Sequence, residues 1–283
     1  TLVMKNKLWI QKALLPALAV CGLLFSSCYK EFDPKTYQPV FSINGYSSSS
    51  EIGAGHLVGY WAFEGHYKDS VSGAEATGIN TSFSSGFVGK AMQGGANAYA
   101  ICDLPAGIKN VSSFTIDFWI NTPQNTSGII TPITISKDDD FWGSLDMFYE
   151  NGSTANSATF KVHIKAQSEV WFTNPVLANP WNAWQNIALT YDAATSIFSV
   201  YQGGGLVAST TSAGLGNLVF QNTATKLIFG TEQFNCSPSL GTAGGPQGWA
   251  DYLRGKLDEV RFYDKVLSAT ELQSLIVLQG KGK

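Results

Sequence analysis

The stretch Trp181–Gly204, WNAWQNIALTYDAATSIFSVYQGG, decides the fold. Ile187, Leu189 and Tyr191 alternate with other residues on its first arm, and Phe198, Val200 and Tyr201 line its second. A period of two predicts half-buried strands rather than a helix. The polar YDAATS makes the turn between them, and the GGG that follows frees the backbone for the next one. A large apolar side chain contributes about 1.5–3 kcal/mol when buried. The aromatics of this hairpin are therefore expected in a core before they are expected at a ligand.

The same pattern recurs on both sides of the hairpin. LVGYWAFEG sets Val58, Tyr60 and Ala62 against Trp61 and Phe63; SFTIDFWINT sets Phe114, Ile116, Phe118 and Ile120 against Thr115, Asp117 and Trp119. In each, one side should meet a core and the other should turn outward. KAMQGG, AYAICDL, IITPITIS, LDMFYE, ATFKVHIKA, EVWFT, LVAST, KLIFGT and KLDEVRFYD continue the series. So many short strands without crossover helices predict an all-β chain, two antiparallel sheets stacked as a sandwich. Only the end reads as helix. In LSATELQSLIVL, Ser268 and Glu271 form a capping box, and Leu267, Leu272, Leu275 and Ile276 would dock the helix on the sandwich.

Composition agrees: of 283 residues 13% are aromatic, 29 are Gly and only 14% are charged, which argues against a helical bundle. A net charge of −3 with no basic stripe argues against a nucleic-acid partner. His56, His66 and His163 are scattered, with no HxH or HExxH spacing for a metal or a general base.

The N-terminus reads as an address. Met4, Lys5, Lys7 and Lys12 precede the apolar run Ala13–Phe25, which is too short for a comfortable membrane span of about 20 residues. LFSSC then places small serines before Cys28 and resembles the lipobox of bacterial lipoproteins. The resemblance implies a signal peptide over 1–27, cleavage before Cys28 and lipidation of that residue. Cys21 fits less well, because Val20 before it is larger than the usual small residue. YKEFD after the cysteine is an acidic cluster of the kind found in surface-exported lipoproteins, so an outer-membrane or cell-surface location is expected. Residues 28–55 show little apolar periodicity and read as a lipidated flexible tether, with the folded domain at 56–283. Cys102 and Cys236 remain for that domain; spacing leaves open whether they pair or stay free.

The hairpin, with a Trp, a strand ending in Thr-Tyr-Asp, a turn and a Gly-bearing loop, resembles the laminin G-like, concanavalin A-like lectin/glucanase jelly rolls. LVGYWAFEGHYKDSVSG resembles their first strand and turn, SFTIDFWINT their inner strand, and GKLDEVRFYDKVLSATEL their closing strand and helix. The resemblance implies a concanavalin A-like two-sheet antiparallel jelly-roll sandwich with a short C-terminal helix. Gln185 and Asn186 after Trp184 depart from the His that many members carry there.

Enzymes of this fold share an E-x-D-x-x-E strand that sets two carboxylates about 5–5.5 Å apart. That motif is absent: Asp146 and Glu150 are four apart, and Asp258 and Glu259 are adjacent and face opposite ways on a strand. No catalytic residue is expected. Binding has better residues. ISKDDDFWGS crowds Asp138, Asp139 and Asp140 beside Phe141 and Trp142. LIFGTEQFN resembles the pentraxin segment whose Gly-x-Glu-Gln-Asp supplies calcium ligands; Glu232 and Gln233 match, and Phe234 replaces the Asp. Together they imply a Ca²⁺ site of Asp139, Asp140, Glu232 and Gln233, against a plain solvated acidic turn or a rival ligand at Asp258. Trp142, Trp249 and Tyr252 are the expected glycan contacts, with Trp171 and Trp181 also on loops. Asn-x-Ser/Thr triplets at Asn80, Asn110, Asn125 and Asn151 arise readily in such a Ser/Thr-rich chain. The expectation is thus a surface-anchored, non-catalytic carbohydrate-binding lipoprotein, accessory to polysaccharide capture. The alternatives are an adhesion module that recognises protein and a divergent glycoside hydrolase.

Overall fold

The computed structural model describes residues 41–151 and 154–283. The signal segment and Cys28 lie outside the described residues. Ser42–Lys283 form one unit. Its alternating stretches become strands of two sheets, one of eight strands and one of nine.

The eight-stranded sheet runs Gly205–Thr211, Ile197–Gln202, Gln185–Asp192, Phe114–Asn121, Lys256–Tyr263, Lys90–Gln93 and Ser82–Ser85, with Leu57–Trp61 also paired to Lys256–Tyr263. The opening hairpin sits at its centre and edge: Leu189 pairs with Val200 across the turn and with Ile116 on the other side. The nine-stranded sheet runs Glu169–Phe172, Ser157–Lys165, Leu145–Tyr149, Ile129–Ile135, Lys226–Phe229, Tyr99–Asp103 and Thr77–Ile79. Val176–Ala178 joins it beside Ser157–Lys165, and Ala250–Asp251 pairs in parallel with Ile129–Ile130. Four of these strands, Thr77–Ile79, Ser82–Ser85, Val176–Ala178 and Ala250–Asp251, are too short or too polar to show a period of two.

Trp61, Phe118, Met147, Phe160, Phe198 and Phe229 fill the space between the sheets as one core. The hairpin's Ile187, Leu189, Tyr191 and Val200 belong to it, so its first duty is packing. The helix Ala269–Gly280 forms with the expected capping box, Ser268 accepting from the Glu271 amide while the Glu271 carboxylate accepts from the Ser268 amide. It docks on the outer face of the eight-stranded sheet through Leu267, Leu272, Leu275 and Leu278; Ile276 stays half-buried, and Leu278 takes the place expected for it.

Docking changes what the outward positions do. Thr115, Asp117 and Trp119 are expected at solvent yet are buried, because the helix and its flanks cover them. The Trp119 Nε1 donates to Gln279 at 2.8 Å. A second helical turn, Ala106–Lys109 after Pro105, interrupts what was expected to be strand and loop alone.

One further expectation gives way, and one open alternative closes. The boundary at residue 56 moves to Ser42, since residues 42–55 do not behave as a tether. Ile52 is 2% exposed and packs against Tyr263, Leu267 and the helix, and Asn44 donates to Ser274 at 2.9 Å. The sequence hid this because one apolar anchor among serines has no period. A Cys102–Cys236 disulfide is not made: both thiols are free. Cys102 lies in the intersheet core and Cys236 on the outer face with Tyr99 and Ile228, so one sheet separates them. Burial pushes both thiols up to about 12.

Ile52→Ala tests the new boundary. A buried Ile cut to Ala should cost about 2–5 kcal/mol, and the melting temperature should fall by several degrees. If 42–55 were a tether, melting would not change.

Candidate ligand-binding face

The two outer faces of the sandwich differ. The C-terminal helix covers one; the segment between Gly230 and Tyr252 crosses the other, that of the nine-stranded sheet. Gln233 holds this crossing in place. Its side-chain oxygen accepts from the Lys137 amide at 2.7 Å, and its nitrogen reaches the carbonyls of Asp140 and Phe141 at 2.9 and 3.0 Å. Gly241 lets the return pass close by, because a Cβ there would stand 2.3 Å from the Asp140 carbonyl, and its φ of +70° suits glycine. Gly128 likewise leaves room for the Trp249 carbonyl, which accepts from Ile129 at 3.0 Å.

These ties gather aromatic rings from the loops of Trp142 and of Trp249 beside the edge strand Glu169–Phe172. Trp142 lies 5.3 Å from Trp171, 5.6 Å from Trp249 and 5.7 Å from the buried Phe148, stacked on the last at 10°. Phe141 and Phe234 fill the base. Trp171 and Trp249 are each 42% exposed. Two of the expected glycan contacts, Trp142 and Trp249, therefore meet, and Trp171 completes the plateau with them. Tyr252 does not join it. It packs against Tyr99 on the far side of the crossing segment.

Charged groups border the plateau. Lys165 Nζ bonds Asp140 at 2.6 Å and lies 3.8 Å from Glu169. Glu169 in turn accepts from Trp171 Nε1 at 3.3 Å and faces His163 Nε2 at 3.1 Å. The strand register places His163 opposite Asp146, and the two bond at 2.8 Å while fully buried. Glu232, also fully buried, accepts from Thr131 at 2.7 Å and hydrogen-bonds Asp146. Isolation from solvent, then the Asp146 charge, raises Glu232 well above the ordinary range; burial pushes Asp146 up to about 7. Two carboxyls in contact away from water retain a proton between them at neutral pH. The His163–Asp146–Glu169 set escaped sequence reading because its members lie on different strands. The only trace was Asp146 and His163 at outward positions of otherwise apolar alternations.

The expected calcium ligands are brought near one another but not into a cage. Asp139 turns to Lys137 at 2.5 Å, Asp140 to Lys165, Glu232 to the buried acid pair, and Gln233 to the backbone. Lysine ammonium groups supply the positive charge that a cation would bring. No cluster of three His, Cys, Asp or Glu side chains able to hold a metal occurs among the described residues. The rival, Asp258, is engaged too: it accepts from the Phe87 and Val88 amides at 2.8 and 3.0 Å, and burial pushes it up to about 7. These residues do not fit a Ca²⁺ site.

The buried acids set a pH dependence. Burial raises Asp117, Asp146 and Asp258 to about 7 and raises Glu232 well above the ordinary range, so the folded state binds protons that the unfolded chain releases. The stability they contribute is complete below about pH 4 and is lost as pH rises through about 7. His163, lowered by burial, acts oppositely, losing its contribution as pH falls below about 6.5. Asp140, Asp251 and Glu271 are lowered despite partial burial by hydrogen bonds from Lys165, Arg254 and Lys265, and their contribution is lost at acid pH. Melting temperature should therefore peak at weakly acidic pH and fall between about pH 5.5 and 8. Asp146→Asn should make that fall shallower in a calorimetric pH series. A native melting temperature that stays level across this range would contradict the buried-acid account.

Residues 94–273 match the model of the family described as the concanavalin A-like lectin/glucanases superfamily. No protein of curated function matches the chain in sequence. Among solved structures, domain 4 of AbnA, an extracellular GH43 arabinanase of Geobacillus stearothermophilus in complex with arabinotriose, is 17% identical with a TM-score of 0.54, covering 78% of this chain and 98% of that one. The binding domain of Paraclostridial Mosquitocidal Protein 1 is 16% identical with a TM-score of 0.56, over 78% of this chain and 52% of that one. The ligand-binding domain of botulinum neurotoxin serotype D, in complex with N-acetylneuraminic acid, is 13% identical with a TM-score of 0.57, over 82% and 52%. This chain thus spans about half the length of those two toxin domains. At such identities the likeness is one of fold, and it agrees with the two sheets described above. With more than half of its length matched by the family model, the chain belongs to the concanavalin A-like lectin/glucanase superfamily, in its laminin G-like branch.

Proposed function

We propose that the protein is a non-catalytic carbohydrate-binding module whose ligand rests on the Trp142–Trp171–Trp249 plateau. The observation that carries this reading is the convergence of three tryptophans, two from separate loops and one from the edge strand Glu169–Phe172, two of them 42% exposed, beside bonded polar groups. A pyranose has apolar C–H faces and a rim of hydroxyls. A fixed aromatic surface matches the faces, and Glu169, Asp140 and Lys165 match the rim. The complexes of two fold neighbours, with arabinotriose and with N-acetylneuraminic acid, lend the reading support. Hydrolysis is disfavoured by the burial of Asp146 and Glu232, the carboxyls in contact, which no glycosidic bond reaches.

The same proposal places the protein at an outer membrane or cell surface, held by a lipid on Cys28. The support is the basic n-region, the short apolar run and SSC. Several acyl chains hold firmly, since each buried CH₂ contributes about 0.8 kcal/mol.

Trp171→Ala and Trp249→Ala should each weaken a glycan hit, identified on an array, by about tenfold or more, with the melting temperature little changed. Turnover of the glycan, or binding that survives both substitutions, would reject the plateau reading. For the anchor, Cys28→Ala should move the protein from the detergent phase to the aqueous phase. Unchanged partitioning would reject lipidation at that residue.

A further inference from the structure

On the far side of the crossing segment lies a groove of about 290 Å³ to one flank, rich in charge, and a larger one of about 610 Å³ beside Tyr252. The larger groove carries the inference. Two turns build one wall, where Asn80 and Asn97 sit at φ +53° and +54°, and Asn80 donates to the Asn97 carbonyl at 3.0 Å. Asn235 and Ser239 come from the opposite wall, and Tyr99 and Tyr252 make the floor. The tyrosine hydroxyls are already used. Tyr252 donates to the Asn235 carbonyl at 2.8 Å, and Tyr99 accepts from the Ser237 amide at 2.9 Å. Both rings are thus fixed, 25° from parallel.

Other polar atoms are not used. The Ser239 hydroxyl is buried without a hydrogen-bond partner. The Asn97 side-chain amide, on the exposed rim, makes no hydrogen bond to another described residue. A buried hydroxyl without a partner carries a desolvation cost that a ligand or water can relieve. No charged side chain lines the groove. Its volume lies within the range of about 300–1,000 Å³ that small ligands occupy.

We propose that this groove is a second glycan subsite that takes an uncharged sugar residue. Amides supply both donors and acceptors for hydroxyls, as a neutral saccharide requires. An anion would find no cation, and an ammonium no carboxylate. The half-buried Tyr252 ring, backed by the buried Tyr99, offers apolar surface to the sugar's C–H face. The ridge between groove and plateau is a single chain segment: Phe234 packs on Trp249 at 5.4 Å on one side, and Asn235 bonds Tyr252 on the other. One polysaccharide crossing this ridge would meet both subsites. The inference rests on the carbohydrate reading of the plateau.

The test uses calorimetric titration of the protein with laminaritetraose, xylotetraose, maltotetraose and a tetrameric uronate. Asn97→Gly and the double variant Asn80→Gly with Asn97→Gly remove rim amides where glycine relieves rather than adds backbone strain. The expected result is binding of a neutral tetrasaccharide that weakens about tenfold in the double variant, less in the single one, with melting retained. Native affinity in the double variant while Trp171→Ala loses binding would overturn the groove and leave the plateau standing. Binding of the uronate alone would overturn the neutral class. Failure of every saccharide on a glycan array would overturn the carbohydrate reading, and the groove with it.

Discussion

The sandwich depends on the insertion of its last strand, Lys256–Tyr263, into the middle of the eight-stranded sheet. This strand pairs with Phe114–Asn121 on one side and with Lys90–Gln93 and Leu57–Trp61 on the other. Neighbours from three distant parts of the chain thus each keep an open edge until the C-terminal segment arrives, and Leu57–Trp61 has no other strand partner among the described residues. Such non-local pairing must overcome loop-closure entropy before any contact rewards it. A bulge between Asp258 and Arg261 marks the junction, with Glu259 at φ +53°, a region that non-glycine residues seldom adopt. The Glu259 carboxylate compensates by accepting from Tyr60 at 2.7 Å, Arg261 at 2.9 Å and Gln279 at 2.9 Å. The bulge therefore joins the first strand, the last strand and the helix through one side chain.

The opposite sheet is organised by an amide. Gln233 ties down the backbone of the 137–141 loop, accepting from the Lys137 amide and donating to the carbonyls of Asp140 and Phe141, so a residue that resembles a calcium ligand serves as scaffold. Phe234, standing where the pentraxin pattern has Asp, belongs to the same change: it is fully buried under Trp142 and Trp249. Glu232 is sealed next to Asp146, and that pair holds its proton because water cannot reach it.

Much of the fold was legible because periodicity survives in each long strand, from Phe114–Asn121 to Ile197–Gln202, and because Ser268 and Glu271 announce the helix. What failed was everything set by a second layer. Asp117 and Trp119 read as outward-facing, and nothing local indicates that a helix from more than a hundred residues away will cover them. Ile52 had no periodic neighbours, so its docking was invisible. At the site, Trp142 and Trp249 stood out as aromatics in turn-rich loops. Trp171 was seen only as one loop aromatic among several. Asp139, Asp140, Glu232 and Gln233 were expected to share a cation; residue type shows what can ligate but not that the four side chains turn to separate partners. Lys137 and Lys165, the partners of Asp139 and Asp140, carry no sequence signal that marks them for that role.

The two outer faces also divide the work of the molecule. The helix-covered face encloses polar atoms without partners: Asp117 Oδ2, Asn186 Oδ1, Arg261 Nε and Tyr263 Oη. Each is a desolvation cost that the surrounding packing must offset. The N-terminal segment reinforces that packing, with the Ser49 amide bonding the Lys283 carbonyl at 3.0 Å, so the described chain enters and ends on this side. The aromatic plateau lies on the other sheet. Trp142 and Trp249, on their loops, and Trp171, on the strand Glu169–Phe172, therefore stay clear of the helix and of both ends of the described chain.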